Sequence, residues 1–200
     1  MKIEDKIQFG EYNWRVLAIQ GNTALIITDK IIEQRSYHNE YIEITWADSS
    51  LREYLNTEFY DRFSEAEKAR IVPVINKNPD NPWFGTLGGR DTEDKIFIPS
   101  LEELACKYFG DSSALLYNPK KNQRYWYERK DANNSKRIAI DEVKKFWWYW
   151  IRTPGRFSVK AVYVFPDGNI GIHGNNIKIG NVADGYCAGG VRPLMWITME

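Results

Sequence analysis

Apolar and polar residues alternate over the first part of the chain, and this period predicts β-strands. Residues 14–19 and 24–27 form two mostly apolar runs, and Gly21-Asn22 between them is a turn signal. We therefore expect a meander of antiparallel strands over residues 6–28.

Helical signals follow the predicted meander. Residues 45–71 are expected to form two helices, and Ser64 and Glu67 have the capping-box spacing at the start of the second. Ser100 and Glu103 repeat that spacing and predict a third helix. Short helices beside strands indicate an α+β protein.

A further hairpin is expected in the last third of the chain, with its turn at Asp167-Gly168. If the turn contains two residues, Phe165 lies opposite Ile170, and Tyr163 and Phe165 share one face of the hairpin. Both faces carry apolar residues, so we expect the hairpin to be substantially buried.

Polar residues fill the stretch between two apolar strands near the C-terminus. The first strand, residues 147–152, is rich in Trp, and the closing strand covers residues 191–197, where Pro193 places a break. The stretch between them is rich in Gly and Asn, and residues 174–176 are expected to turn. Two apolar strands that frame a polar surface are typical of a display scaffold.

Composition narrows the class of protein. Lys plus Arg and Asp plus Glu both number 27 in the 200 residues, and the net charge of zero argues against a nucleic-acid partner. Residues 120–145 are locally basic, and we interpret them as a solvated insertion face. A patch for nucleic acid or for an acidic partner is the alternative. There is neither an apolar leader nor an apolar run of membrane-spanning length, which predicts a cytoplasmic protein without a membrane partner.

Candidate chemistry is sparse, and we expect no catalytic residue, metal or cofactor. The two cysteines, Cys106 and Cys187, have no zinc-site spacing, and Cys187 in its Gly-rich loop is the thiol to test for reactivity. Oxygen-bearing residues in the loop 76–95 are compatible with Ca²⁺, but their spacing is not that of an EF-hand and they also favour turns.

Two arginines lie in apolar strands near the C-terminus. Arg152 and Arg192 need carboxylate or carbonyl partners if they are buried, so we expect structural pins. A ligand-binding arginine is the alternative interpretation of each.

Several motifs occur in a fixed order along nearly the whole chain. They are Trp14-Arg15-Val16-Leu17, Ile32-Glu33-Gln34-Arg35 with Tyr37-His38, Thr45-Trp46 with Ser50-Leu51-Arg52 and Tyr54-Leu55-Asn56, Asp94-Lys95-Ile96-Phe97 with Ser100-Leu101, Trp150-Ile151-Arg152-Thr153-Pro154-Gly155, and Gly189-Gly190-Val191-Arg192-Pro193. Through them the chain resembles a bacterial domain family, common in Firmicutes, that is known as a domain of unknown function. That family is in turn similar to the C-type-lectin-like fold of formylglycine-generating enzymes and of the variable proteins of diversity-generating retroelements.

The resemblance implies a fold and a place for function. It implies a single C-type-lectin-like domain over residues 1–200, with an insertion at about 118–145. Its sheets would be small, twisted and mostly antiparallel, with two or three flanking helices. Ligand contacts would lie on the last loops and strands.

The predicted function is that of a non-enzymatic binding module that presents loops at about 156–188 to a protein or glycan ligand. The candidate contacts are Arg156, Phe157, Lys160, His173, Asn175, Asn176, Lys178, Asn181 and Tyr186. One alternative is an enzyme related to the formylglycine-generating oxidases that works through Cys187, although the closely spaced cysteine pair of those enzymes is absent. A structural module without a ligand is the other alternative.

Overall fold

A computed structural model describes residues 1–119, 126, 131–178 and 188–199. Two five-stranded sheets, one two-stranded sheet and a few short helices make up an α+β fold, and the pairing is mostly antiparallel. This confirms the predicted class. No helix in the described ranges has the length and apolar character needed to cross a bilayer.

Strands and short helices alternate along the chain, and all four α-helices lie between β4 and β8 in sequence. The strands are β1 (Lys6–Phe9), β2 (Tyr12–Gln20), β3 (Thr23–Thr28), β4 (Glu33–Arg35), β5 (Ile71–Val72), β6 (Val74–Asn76), β7 (Thr92–Asp94), β8 (Tyr149–Pro154), β9 (Lys160–Val164), β10 (Ile170–Asn176), β11 (Gly189–Val191) and β12 (Leu194–Thr198). The helices are α1 (Ser50–Asn56), α2 (Glu65–Lys68), α3 (Ser113–Leu116) and α4 (Asn134–Arg137). Short 3₁₀ turns occur at Trp46–Asp48 and Tyr60–Arg62, and a π-helical turn at Glu103–Lys107.

The first sheet has the strand order β1-β2-β3-β12-β5. Its first three strands form the predicted meander, and Trp14, Leu25 and Ile26 on β2 and β3 are buried in the core. Strand β12 inserts between β3 and β5 and pairs antiparallel with both. The last strand is therefore an interior strand of this sheet.

The second sheet has the order β10-β9-β8-β11-β4. Strand β11 pairs antiparallel with β4 and parallel with β8, the one parallel pairing among the described strands. Arg192 and Pro193 separate β11 from β12, so the predicted break at Pro193 is the point where the chain passes from the second sheet to the first.

The helices are shorter than the sequence suggests, but their N-terminal signals are present. Ser64 and Glu67 form a reciprocal capping box before α2. Ser100 and Glu103 form another, in which the Ser100 backbone N–H donates to Glu103 at 2.8 Å. The third predicted helix ends as the π-helical turn Glu103–Lys107.

The predicted register of the β9–β10 hairpin is wrong by one residue. Ile170 pairs with Val164 and Gly171 pairs with Tyr163, because the connection has three residues and ends at Gly168 with φ +79°. A shift of one residue exchanges the two faces of a strand. Val164 and Ile170 therefore face the core together, while Tyr163 packs over Gly171 on the other face.

The predicted turn at residues 174–176 is also wrong. Strand β10 continues to Asn176, where it pairs with Lys160, and a register shift between Gly171 and Asn175 absorbs the irregularity. The Asn and Gly residues here mark a β-bulge rather than a chain reversal.

Parts of the predicted insertion at 118–145 contribute to the interior. Trp126 is fully buried and stacks on Trp83, with ring centroids 6.1 Å apart. Arg137 on α4 is also buried, unlike its exposed neighbour Lys136. The solvated face that we expected for this segment therefore applies to some of its residues and not to others.

Candidate functional site

Seven of the nine predicted contact residues lie at one end of the second sheet. They are Arg156, Phe157, Lys160, His173, Asn175, Asn176 and Lys178, on β9, on β10 and on the loops beside them. Asn181 and Tyr186 lie outside the described residues, as does Cys187.

The loop that carries Arg156 and Phe157 is fixed by backbone hydrogen bonds. The N–H of Gly155 donates to the carbonyl of Lys160 at 2.7 Å, and the N–H of Arg156 donates to the carbonyl of His173 at 2.8 Å. Gly155 is required by close approach, because a Cβ there would lie 2.6 Å from the carbonyl oxygen of His173. The loop is therefore a tight link between β8 and β9 that is also bonded to β10.

Asn81 supports this loop from behind. It is 1% exposed, and its amide group donates to the carbonyls of Pro154 at 2.8 Å and Ile172 at 3.0 Å. Its Oδ1 accepts the backbone N–H groups of Trp83 and Phe84. The Asn81 side chain thus joins the loop between β6 and β7 to β8 and β10, and its amide N–H groups and oxygen are all hydrogen-bonded.

Arg156 lies between two aromatic rings on the surface. Its guanidinium carbon is 5.3 Å from the ring centroid of Phe157 and 5.8 Å from that of Phe84. The Arg156 carbonyl also accepts the Thr86 hydroxyl at 2.9 Å, which fixes the loop 84–87 beside it. Cation–π contacts of this kind hold a charged side chain in place without neutralising it.

Four large apolar side chains are exposed around this loop. Tyr41 is 55% exposed, Ile42 46%, Leu87 71% and Phe157 54%. Their backbone segments are joined, since the N–H of Ile44 donates to the carbonyl of Ser158 and Thr86 bonds to Arg156. We call these four residues together with Phe84 and Arg156 the Phe157 patch.

Positive charge borders the Phe157 patch. Arg156 and Lys178 are exposed and Lys160 is half-buried, and none of the three has an ion pair within the described ranges. Lys160 is the cross-strand partner of Asn176, whose side chain accepts the backbone N–H of Lys178 at 2.9 Å. These cations are therefore available to an acidic or polar partner.

His173 is a neutral side chain at this end of the sheet. Its burial and the charge of Lys160 lower the pKa of the imidazole to about 4. Its ring meets the Tyr163 ring edge-on, with the two ring centroids 6.1 Å apart. At neutral pH the residue contributes a polar, uncharged surface rather than a cation.

Residues 21–199 match the family described as Domain of unknown function (DUF6273). The chain belongs to this family. No curated protein and no solved structure matches it. The matched range of DUF6273 extends from the turn before β3 through β12, so it includes strands of both large sheets.

One of the oxygen-bearing residues that were considered for Ca²⁺ has a structural role in the DUF6273 chain. Asp94 is fully buried and accepts hydrogen bonds from Trp46, Arg52, Asn76 and Thr92. In the described part of the chain, no three His, Cys, Asp or Glu residues are grouped as metal ligands. Asp94, which lies on β7 and not in a loop, is thus committed to holding the interior together.

His38 and Ser50 resemble a catalytic pair in distance, but their bonding is that of a helix cap. The Nδ1 atom of His38 lies 2.9 Å from the Ser50 hydroxyl and also accepts the Ser50 backbone N–H at 3.2 Å. The Nδ1 lone pair, which a general base would need to accept a proton, is thus used by the Ser50 backbone N–H at the start of α1.

Cys106 is half-buried at the π-helical turn, and burial together with the charges of Asp111 and Glu102 raises the pKa of its thiol. A raised pKa keeps this sulfur protonated and a poor nucleophile.

Sequence patterns did not indicate Tyr41, Ile42, Phe84 and Leu87 as part of the candidate surface. These residues lie in irregular segments where apolar periodicity gives no information. The one available signal is the apolar pair Tyr41-Ile42 between Glu40 and Glu43.

Proposed function

We propose that this protein is a non-enzymatic binding module that presents the Phe157 patch and its bordering cations to a protein or glycan ligand. The observation that carries the proposal is the joining of four exposed large apolar side chains from separate segments on a hydrogen-bonded support. Exposed apolar side chains that neighbouring segments bring to one region are typical of interaction sites.

A protein ligand suits the patch better than a glycan. Aromatic residues and arginine are enriched where protein interfaces bind most tightly, and Phe157, Tyr41 and Arg156 are of those types. The aliphatic side chains of Ile42 and Leu87 add apolar area that a sugar would not match.

We further propose that the fold is C-type-lectin-like. In support, the closing segment passes through Val191-Arg192-Pro193 between two sheets, and a Trp-containing strand, β8, pairs with β11 beside it. In the resemblance drawn from the sequence, these features accompany ligand contacts on the last loops.

The test is to screen the chain against a glycan array and a displayed peptide library, and then to measure the Kd of each hit. We expect Phe157→Ala and Leu87→Ala each to weaken binding at least about tenfold, as for a hot-spot residue. Ile75→Ala is the matched control, because Ile75 is 61% exposed on β6, outside the patch.

Equal Kd values for all three variants would place the ligand elsewhere and contradict the proposal. Binding of glycans with no peptide or protein ligand would correct the ligand class. A chain that binds neither library would favour a structural module.

A further inference from the structure

Three arginines are buried in the described part of the chain, and one of them differs from the other two. Arg137 pairs with Asp131 at 3.0 Å, and Arg152 pairs with Glu103 at 2.6 Å. Arg192 is fully buried, and no carboxylate pairs with it among the described residues.

The surroundings of Arg192 satisfy part of its guanidinium. Its Nε–H donates to the carbonyl of Thr28 at 3.1 Å. Its guanidinium carbon is 5.7 Å from the ring centroid of Phe109 and 5.5 Å from that of Tyr149. Aromatic rings favour the charge, but their faces are weak acceptors. The Tyr149 hydroxyl, which also interacts with the Arg192 side chain, donates its own proton to the carbonyl of Arg137 at 2.8 Å.

Three polar atoms at this place have no hydrogen bond of good geometry to the residues that the structure describes. They are both terminal nitrogens of Arg192 and the hydroxyl oxygen of Thr28, and all three are buried. Arg192 and Thr28 are already joined through the backbone carbonyl, so these atoms belong to one small region. Every one of them can donate, and the two arginine nitrogens can only donate.

A buried cation without a counter-charge is costly, because desolvation of an ion outweighs what neutral contacts return. Arg137 and Arg152 meet that cost with carboxylates from the chain. Arg192 offers a set of donors and a full positive charge, which is the recognition chemistry of an anion. The complete burial of the guanidinium restricts the occupant to a very small ion.

We propose that Arg192 and Thr28 bind a small monovalent inorganic anion, such as chloride, inside the protein. The ion would join the end of β3, which carries Thr28, to the β11–β12 link, which carries Arg192. Thr28 also lines a surface pocket of about 120 Å³, and Phe109 lines another of about 310 Å³.

This site predicts that stability depends on the kind of anion and not only on ionic strength. We expect the thermal midpoint in sodium chloride or bromide to exceed that in sodium gluconate of equal ionic strength by about 3 °C. Thr28→Val, which removes one donor at nearly constant volume, should reduce the difference by half or more. Arg192→Met should abolish it.

Arg90→Met is the matched control. It removes the same charge from an arginine that pairs with Asp48 on the surface, so it should keep the full halide effect. If Arg192→Met fails to fold, Thr28→Val still tests the site. A crystal soaked in bromide should show an anomalous peak within hydrogen-bond reach of Arg192.

Equal midpoints in halide and gluconate would overturn the proposal, and so would a halide effect that Thr28→Val retains in full. A water molecule at the site, with no bromide peak, would also overturn it.

Discussion

Arg152 shows what a buried guanidinium requires in this protein. Glu103 accepts two of its hydrogen bonds, and the carbonyl of Ile98 and the side chain of Asn78 accept others. Burial alone would raise the pKa of Glu103, but the Arg152 charge and its hydrogen bonds hold that pKa below its ordinary value. The carboxylate and the cation therefore stabilise each other.

Removing the charge of Glu103 should destabilise the fold strongly. We expect Glu103→Gln to lower the free energy of unfolding by about 3–5 kcal/mol, because Arg152 would remain buried without a counter-charge. Urea denaturation at neutral pH measures the change. Asp48→Asn is the control, since Asp48 pairs with Arg90 on the surface and should cost less than about 1 kcal/mol. A similar small loss for both variants would contradict this account.

The sequence predicted the role of Arg152 but not its partner. An arginine in an apolar strand requires a counter-charge, and this is a local inference. Glu103 lies 49 positions away, in a capping box that gives no sign of facing β8. The same reasoning holds for Arg192 through a carbonyl: its Nε–H donates to Thr28, and no carboxylate among the described residues pairs with it.

The turn between β9 and β10 sets the register of a whole element. Gly168 has φ +79°, and a Cβ on it would overlap the carbonyl oxygen of Asn134. Sequence alone identified the turn but not its length, and Asp-Gly fits both two-residue and three-residue connections. Whether Ile170 shares a face with Phe165 or with Val164 depended on that one residue.

Two glycines with similar backbone angles should respond differently to alanine. Gly168→Ala should cost about 3 kcal/mol or more, because left-handed strain adds to a steric clash. Gly21 has φ +57° but nothing lies near its missing Cβ, so Gly21→Ala should cost only about 1–2 kcal/mol. Thermal or urea unfolding compares the two, and equal losses would show that the contact with Asn134 is unimportant.

Only the part of the candidate surface that follows β8 could be predicted from the sequence. Arg156 and Phe157 follow directly from their place after the Trp-rich strand. Tyr41 and Leu87 join them through single hydrogen bonds between irregular segments, at Ile44 and Thr86. Such contacts leave no periodic trace, so sequence patterns could not have placed them there.

At the scale of the whole molecule, stability should depend on pH through His173. The pKa of this imidazole falls from 6.5 to about 4 on folding, so the unfolded chain binds more protons between these values. Stability should therefore be constant above about pH 7 and fall as the pH decreases from about 6.5 to 4.

The size of this effect is modest because His173 is only half-buried. We expect on the order of 1–2 kcal/mol after solvent screening. Urea titrations across this pH range measure it, and His173→Asn should flatten the curve there. An unchanged slope in that variant would assign the pH dependence to other groups.

Below this range Glu103 should dominate the pH dependence of stability. Its pKa is lowered in the folded protein, so its contribution to the free energy of unfolding disappears on acidification.

The sequence allowed the α+β class of the fold to be predicted, but not the order of the strands in its sheets. Alternation gave the meander β1–β3, and the turn signals gave the β9–β10 hairpin. The position of β12 between β3 and β5 depends on pairings such as Ile197 with Ala24, which join distant parts of the chain. Periodicity identifies a strand but carries no information about its neighbours.

The interior position of β12 has a consequence for biosynthesis. A ribosome produces strands β1, β2 and β3 early, but their sheet lacks its inner partner until residues 194–198 leave the exit tunnel. Strand β11, which joins β8 to β4 in the second sheet, emerges just before it. Most of the nascent chain therefore waits with apolar edges uncovered, and such a protein is expected to fold late and to depend on chaperones while it is made.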